Sequence, residues 1–185
     1  SVAIGYETLK AQNFTSATSS NNTAVGFHAG NDVTTGNNNT LIGANSGDKL
    51  TSGNSNTAMG YLALTTDTLG DRAVAIGVNA LATQNFTSST DNYNVGIGYQ
   101  AGYSITTGIQ NTLIGGLAGD AINTGDNNVA VGMASLSVLT TADDNVAVGV
   151  SALSSNLTGA SNTAVGRSSL ASVTSGTRNI AMGAL

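Results

Sequence analysis

The chain has 185 residues and a net charge of −5, with 24 glycines but only 4% aromatic and 8% charged residues. It has no Cys, Trp or Pro, which excludes disulfide staples, and its five bases, Lys10, Lys49, Arg72, Arg167 and Arg178, are too scattered for a nucleic-acid footprint. A non-repetitive polymer of this Asn, Thr, Ser, Ala and Gly content would not offset its ordering entropy, so only repetition can make it fold.

The first element, Val2-Ala3-Ile4-Gly5, supplies that repetition. A β-branched residue, a small one, a bulky aliphatic and a glycine return at Gly26, Gly43, Gly60, Gly77, Gly98, Gly115, Gly132, Gly149, Gly166 and Gly183. The steps are 21, 17, 17, 17, 21 and then five of 17 residues. Short extended segments closed by glycine at fixed spacing predict an all-β parallel solenoid of about eleven coils, two of them lengthened from 17 to 21 residues.

Further columns follow the glycine. The third residue is small (Ala29, Ser46, Ala63) and the fourth runs Leu9, Gly30, Gly47, Leu64, then Leu81, Gly102, Gly119, Leu136. The seventh is often aliphatic, as at Val33, Leu50, Ile105, Ile122 and Leu139, with Asp67 and Asn156 as breaks. A second glycine stands ten residues on at Gly36, Gly53, Gly108 and Gly125. This predicts one well-defined strand before the first glycine and a weaker one between the two bends. The run Gln12-Asn13-Phe14-Thr15-Ser16 recurs as Gln84-Asn85-Phe86-Thr87-Ser88, 72 residues later. The chain therefore reads as one solenoid with a duplicated block, 1–72 and 73–144, and a partial third, 145–185. Each lengthened coil is expected to carry a protruding loop.

Along the main strand, alternation puts Val2, Thr23 and Val74 on one face with Ile4, Val25 and Ile76, and Ala3, Ala24, Ala75 and Leu41 on the other. Both faces are apolar. One can fill the interior of the coil, and the other needs a cover that a chain without helices lacks, so a homo-oligomer with strands around a central axis is expected. Asn four residues before the glycine, from Asn22 and Asn39 to Asn179, predicts amide ladders along the rod.

Ser1-Val2-Ala3-Ile4-Gly5 and Ala73-Val74-Ala75-Ile76-Gly77 resemble the head repeat of trimeric autotransporter adhesins, the YadA-like head. The Asn-Thr-Ala-Val-Gly form, with Ala-Leu and a later Thr-Gly, is similar to repeats in phage tail fibres. The resemblance covers essentially the whole chain. It implies a left-handed parallel β-roll, homotrimeric and extracellular, on a cell surface or a phage tail and used for attachment. The coils here are longer than is usual in that family and carry a second Thr-Gly bend.

Catalysis is not expected. His28 is the lone imidazole and Glu7 the lone Glu, so a nucleophile–base pair has a single candidate base. Gly96-Ile97-Gly98-Tyr99-Gln100-Ala101-Gly102 lacks dinucleotide-loop spacing, and its glycines are columns of the repeat. No cofactor and no metal site is expected, and the stacked Asp126 and Asp143 read as solvated charge rather than cation ligands. No stretch suits a transmembrane helix, so no membrane insertion by this segment is expected. With no initiator Met and a start in mid-motif, the chain is expected to be a section of a longer fibre or surface protein.

Aromatics are scarce enough for their places to matter. Tyr6, Phe27, Tyr61 and Tyr99 follow the glycine directly and align along one edge, where they either pack over the bend or contact a receptor, glycan or protein. Phe14 and Phe86, in the lengthened coils, either plug the loop base or are presented to a ligand. The expected function is a structural and adhesive fibre segment. The alternative is an ice- or mineral-binding solenoid, which would need Thr columns on one exposed plane. Thr23, Thr40 and Thr57 give way to Val74, Val95 and Val129 beside bulky aliphatics, which argues for burial.

Overall fold

A glycine closes each of the main strands, and from Gly5 to Gly166 none of these glycines tolerates a side chain. At Gly26 the backbone adopts φ +136°, and a Cβ there would lie 2.6 Å from the carbonyl oxygen of Gly43 in the next coil. Gly43 stands the same way over Gly60. Coils can stack at strand spacing only if these positions have no side chain.

The computed structural model describes residues 1–14 and 19–184. Among them there is no helix, and the strands are β1 Val2–Ile4, β2 Thr23–Val25, β3 Thr40–Ile42, β4 Thr57–Met59, β5 Gly70–Asp71, β6 Val74–Ile76 and β7 Thr90–Asp91. They continue with β8 Val95–Ile97, β9 Thr112–Ile114, β10 Val129–Val131, β11 Val146–Val148, β12 Thr163–Val165 and β13 Ile180–Met182. All but β5 and β7 join one eleven-stranded parallel sheet, each strand pairing with its neighbours along the chain. Register is strict: Ala3 faces Ala24, Leu41 faces Ala58, and Ala130 faces Ala147. Eleven strands enclose ten turns of a parallel β-solenoid. The sheet passes without interruption from β4 to β6, so the two copies of the block form one continuous stack.

The alanine face points inward. Ala24, Leu41, Ala58, Ala75, Leu113, Ala130, Ala147 and Ala164 are fully buried, together with Ala29, Val33, Leu50, Ile105, Ile122 and Leu139 from the other columns. A side chain the size of Leu contributes about 1.5–3 kcal/mol when so buried, and the small ones permit a thin coil. Buried Asn residues close most of the coils across their interior. Asn39 donates from Nδ2 to the Gly53 carbonyl at 2.8 Å, and its Oδ1 accepts from the backbone N–H of Asn56 at 2.9 Å. The expected amide ladder is therefore mainly side chain to backbone, with direct amide-to-amide contacts such as Asn128 Nδ2 to Asn111 Oδ1 at 3.2 Å added in the C-terminal coils.

The turn after the strand repeats a left-handed backbone at its second and fourth residues, as at Glu7 and Leu9, Leu62 and Leu64, and Ser151 and Leu153. Non-glycine residues pay about 1–2 kcal/mol each for that conformation. Hydrogen bonds to both neighbouring coils offset it: His28 N–H reaches back to Tyr6 O at 2.9 Å and Gly30 N–H forward to Ser46 O at 2.9 Å.

The weaker strand expected between the bends is absent from the regular coils. Thr51 O accepts from three successive N–H groups, of Thr34, Thr35 and Gly36, and Asn37 N–H donates to a side-chain oxygen of Asn54 instead. With one carbonyl serving several donors, no residue-by-residue ladder can form. Among the described residues, strand pairing on this side occurs only between β5 and β7. There the lengthened coil puts Thr87, Ser88 and Ser89 out as the expected exposed loop and returns along Gly70–Asp71. The tip of the other lengthened coil falls at 15–18, outside the described residues.

Candidate interaction face

Because the alanines fill the interior, the β-branched and bulky aliphatic residues of every strand point outward. This face runs the length of the sheet as Thr or Val beside Val, Ile or Met: Thr23 and Val25, Thr40 and Ile42, Thr57 and Met59, Val74 and Ile76, Val95 and Ile97, and Thr112 and Ile114. It continues as Val129 and Val131, Val146 and Val148, and Thr163 and Val165. Most are half-buried by their own neighbours, while Met59 and Ile114 are exposed outright. No charged residue occurs at any of these positions, although ten carboxylates and five bases are distributed elsewhere. At ~4.8 Å per strand the stripe is about 50 Å long.

A second line of apolar side chains borders it. Tyr6, Phe27, Tyr61 and Tyr99 are all at least half exposed, and Val78, Met133 and Val150 extend the same column. They are not tucked over the bend. At the first two coils the rings stack on each other, Tyr6 on Phe27 with centroids 5.5 Å apart and Phe27 on His28 at 4.0 Å. His28 Nε2 lies 3.2 Å from Glu7, which also accepts from Lys10 at 2.7 Å. That hydrogen bond holds the Glu7 carboxyl below the usual carboxylate range. The lone imidazole is thus engaged by an aromatic face and by the Glu7 carboxyl.

Of the two readings for Phe86 the structure takes the loop plug and corrects the surface contact: the ring is only 5% exposed and packs against Gly70 of the preceding coil, at the base of the loop. Phe14, its counterpart, is half-buried. Near Phe86 lies a polar cluster that spacing alone did not reveal. Asp67, in the aliphatic column, accepts from Gln84 Nε2 at 2.6 Å, from Phe86 N–H at 3.2 Å and from Gly70 N–H at 3.1 Å. Gln84 Oε1 in turn accepts from Asn94 Nδ2 at 2.9 Å. Burial pushes the Asp67 carboxyl up from its ordinary value, against those hydrogen bonds. The legible signal was Asp67 itself, a carboxylate where the column calls for Val or Leu.

Asp126 and Asp143 serve the backbone: Asp126 Oδ1 accepts from Ile109 N–H at 2.7 Å and Asp143 Oδ1 from Asp126 N–H at 2.8 Å. Among the described residues there is no group of three or more His, Cys, Asp or Glu placed to hold a metal ion, and no helix long and apolar enough to cross a membrane.

The fold and its repeats define a β-solenoid repeat protein. No protein-family model matches the chain, no curated protein matches it significantly, and neither does any solved structure.

Proposed function

We propose that this chain is a non-catalytic structural and adhesive fibre segment. In it three left-handed rods pack their outward strand faces around a common axis, on an extracellular adhesin or phage tail fibre. The observation that carries this reading is the outward face, which carries no charged residue on any of its eleven strands, sets Thr, Val or Ile beside Val, Ile or Met, and is half-buried or exposed in the single chain. Burying it against two copies removes an apolar stripe from water on each rod. The bordering residues Tyr6, Phe27, Tyr61 and Tyr99 then lie at the margin of the packed faces, available to a receptor glycan or protein. The test is the mass in solution, by sedimentation equilibrium. Three copies of 18.2 kDa give about 55 kDa, and a folded monomer at 18.2 kDa would refute the packing.

One observation favours the ice- or mineral-binding reading. Thr23, Thr40 and Thr57 stack in register on the outward face, not in the interior. The array is short, because Val74 and Val95 interrupt it before Thr112. Thermal hysteresis in the purified chain would establish this second reading, and its absence leaves the fibre.

A further inference from the structure

Of the 24 glycines, Gly116 alone has neither a left-handed backbone nor a neighbour that a side chain would meet: a Cβ there finds nothing within 4 Å. It stands directly after the closing glycine Gly115, in the column of large side chains that borders the outward face. Tyr99 comes one coil before it in that column and Met133 one coil after, and both are more than half exposed. One 72-residue period earlier, Ala44 takes the same place between Phe27 and Tyr61, which are also at least half exposed. Where successive coils fill the column, rings stack along the rod, Tyr6 on Phe27 with centroids 5.5 Å apart and planes 10° from parallel. Glycine loses more backbone entropy on folding than any other residue, and at Gly116 neither turn geometry nor packing requires it. What it leaves is an open rung in the column, with Ile114 of the same coil exposed beside it.

We propose that this rung is a binding slot for one flat, uncharged aromatic side chain of a partner protein, entering end-on between Tyr99 and Met133. Two strand steps set the walls about 9.6 Å apart, which puts an inserted ring about 4.8 Å from each. Aromatic pairs stack with centroids ~4.5–7 Å apart, and a thioether sulfur meets a ring at ~5 Å, so one ring fits and both walls suit it. The charge of the surroundings selects the same occupant. Residues 97–100, 114–117 and 131–134 include no Asp, Glu, Lys, Arg or His. Apart from the Tyr99 hydroxyl and the Gln100 amide, their side chains hold no strong hydrogen-bonding group to receive the hydroxyls of a sugar. The slot deepens the fibre reading and rests on it for the partner, a protein of the surface to which the fibre attaches. Ala44, with a methyl group on its rung, is a shallower copy.

The chain has no Trp and three Met, so an indole probe can be followed by nuclear magnetic resonance of the Met methyl groups. N-acetyl-tryptophanamide is titrated into the full chain. An indole in the slot is expected to move the Met133 methyl resonance upfield, saturably, by its ring current, while Met59 and Met182 stay in place. Gly116→Phe sets the chain's own ring on the rung; it is expected to shift Met133 without the probe and to abolish the response to it. Tyr99→Ala, a change at an exposed side chain, removes one wall and is expected to weaken the probe by roughly 2- to 12-fold, the worth of one aromatic pair. N-acetylglucosamine, titrated in parallel, is expected to leave Met133 unmoved. Sedimentation of the same samples reads the assembly separately. A monomer whose Met133 responds would refute the packing and keep the slot; a trimer whose Met133 does not respond would refute the slot and keep the packing. A shift that persists unchanged in Gly116→Phe and Tyr99→Ala, or a response to the sugar alone, would also overturn the proposal.

Discussion

Leu41 fills the space that a side chain at Gly47 would need: a Cβ on Gly47 would lie 2.7 Å from Leu41 Cδ2. Gly30, in the coil before, is placed alike, with its Cβ position 2.6 Å from Leu41 Cδ1. Leu113 stands in the same relation to Gly102 and Gly119. The interior thus keeps a constant volume by exchanging which column carries the leucine. Where the turn has Leu the strand has Ala, and where two successive turns have Gly, one Leu on the second of their strands fills both places. Gly96 extends the rule, since a Cβ there would meet Leu81 Cγ at 2.8 Å.

Leu41→Ala is therefore expected to cost about 2–5 kcal/mol, because it leaves a cavity next to two glycines that cannot fill it. Adding Gly47→Leu should recover part of the loss, since leucine adopts the same left-handed backbone at Leu64 and Leu81. Equilibrium urea denaturation of the single and double variants measures the coupling. A double variant no better than Leu41→Ala alone would refute volume exchange.

Asn111 closes its coil. Its Nδ2 donates to Gly125 O at 2.8 Å, and its Oδ1 accepts from Asn128 N–H at 3.0 Å. Asn111→Leu strands a buried N–H and a buried carbonyl, and is expected to destabilise by about 2–4 kcal/mol despite the more apolar side chain. A denaturation midpoint at or above that of the parent protein would show that the Asn column is dispensable.

The Asp67 carboxyl is held above its ordinary value by burial, so in the fold its ionised form is the disfavoured one. A group shifted upward contributes stability that is fully present below its unfolded pKa and is lost as pH rises through the folded pKa. Relative to Asp67→Leu, the parent protein should therefore gain stability as pH falls from neutral toward 3.8. Denaturant midpoints of both proteins across that range decide it. A difference that stays flat, or narrows on acidification, contradicts the assignment.

Ile97 sits mid-rod on the outward face, half-buried in one chain. If three rods pack there, Ile97→Lys puts three ammonium groups near the axis and should drive the assembly toward 18.2 kDa species while leaving the β-sheet circular dichroism in place. Sedimentation velocity reads the first and far-ultraviolet spectra the second. An unchanged mass would place the contact elsewhere.

The strand positions, the inward or outward alternation and the Asn column were legible because each depends on a residue type repeated at fixed spacing. Spacing could not say which face was interior. Volume decides that, since Ala24 fits inside a thin coil with Leu9 and Val33 and a row of Val and Ile would not. The second strand was over-read because the aliphatic column of Val33 and Leu50 between two glycine bends looks like a strand face, whereas Thr51 O gathers three donors. The fate of Phe86 depended on Asp67 and Gly70 in another coil, a contact across 16 or more residues that no local pattern encodes.

The strand-to-strand hydrogen bonds of this molecule all lie along its long axis, and that fixes how it answers a pull at its two ends. Tension loads a single rung at a time, so the chain should yield as a zip-fastener, terminal turn first, without shattering at once. Each surrendered turn frees about 60 Å of slack where it had occupied ~4.8 Å. A tether built this way limits the peak force reaching whatever it connects, by paying out length in even, reversible steps.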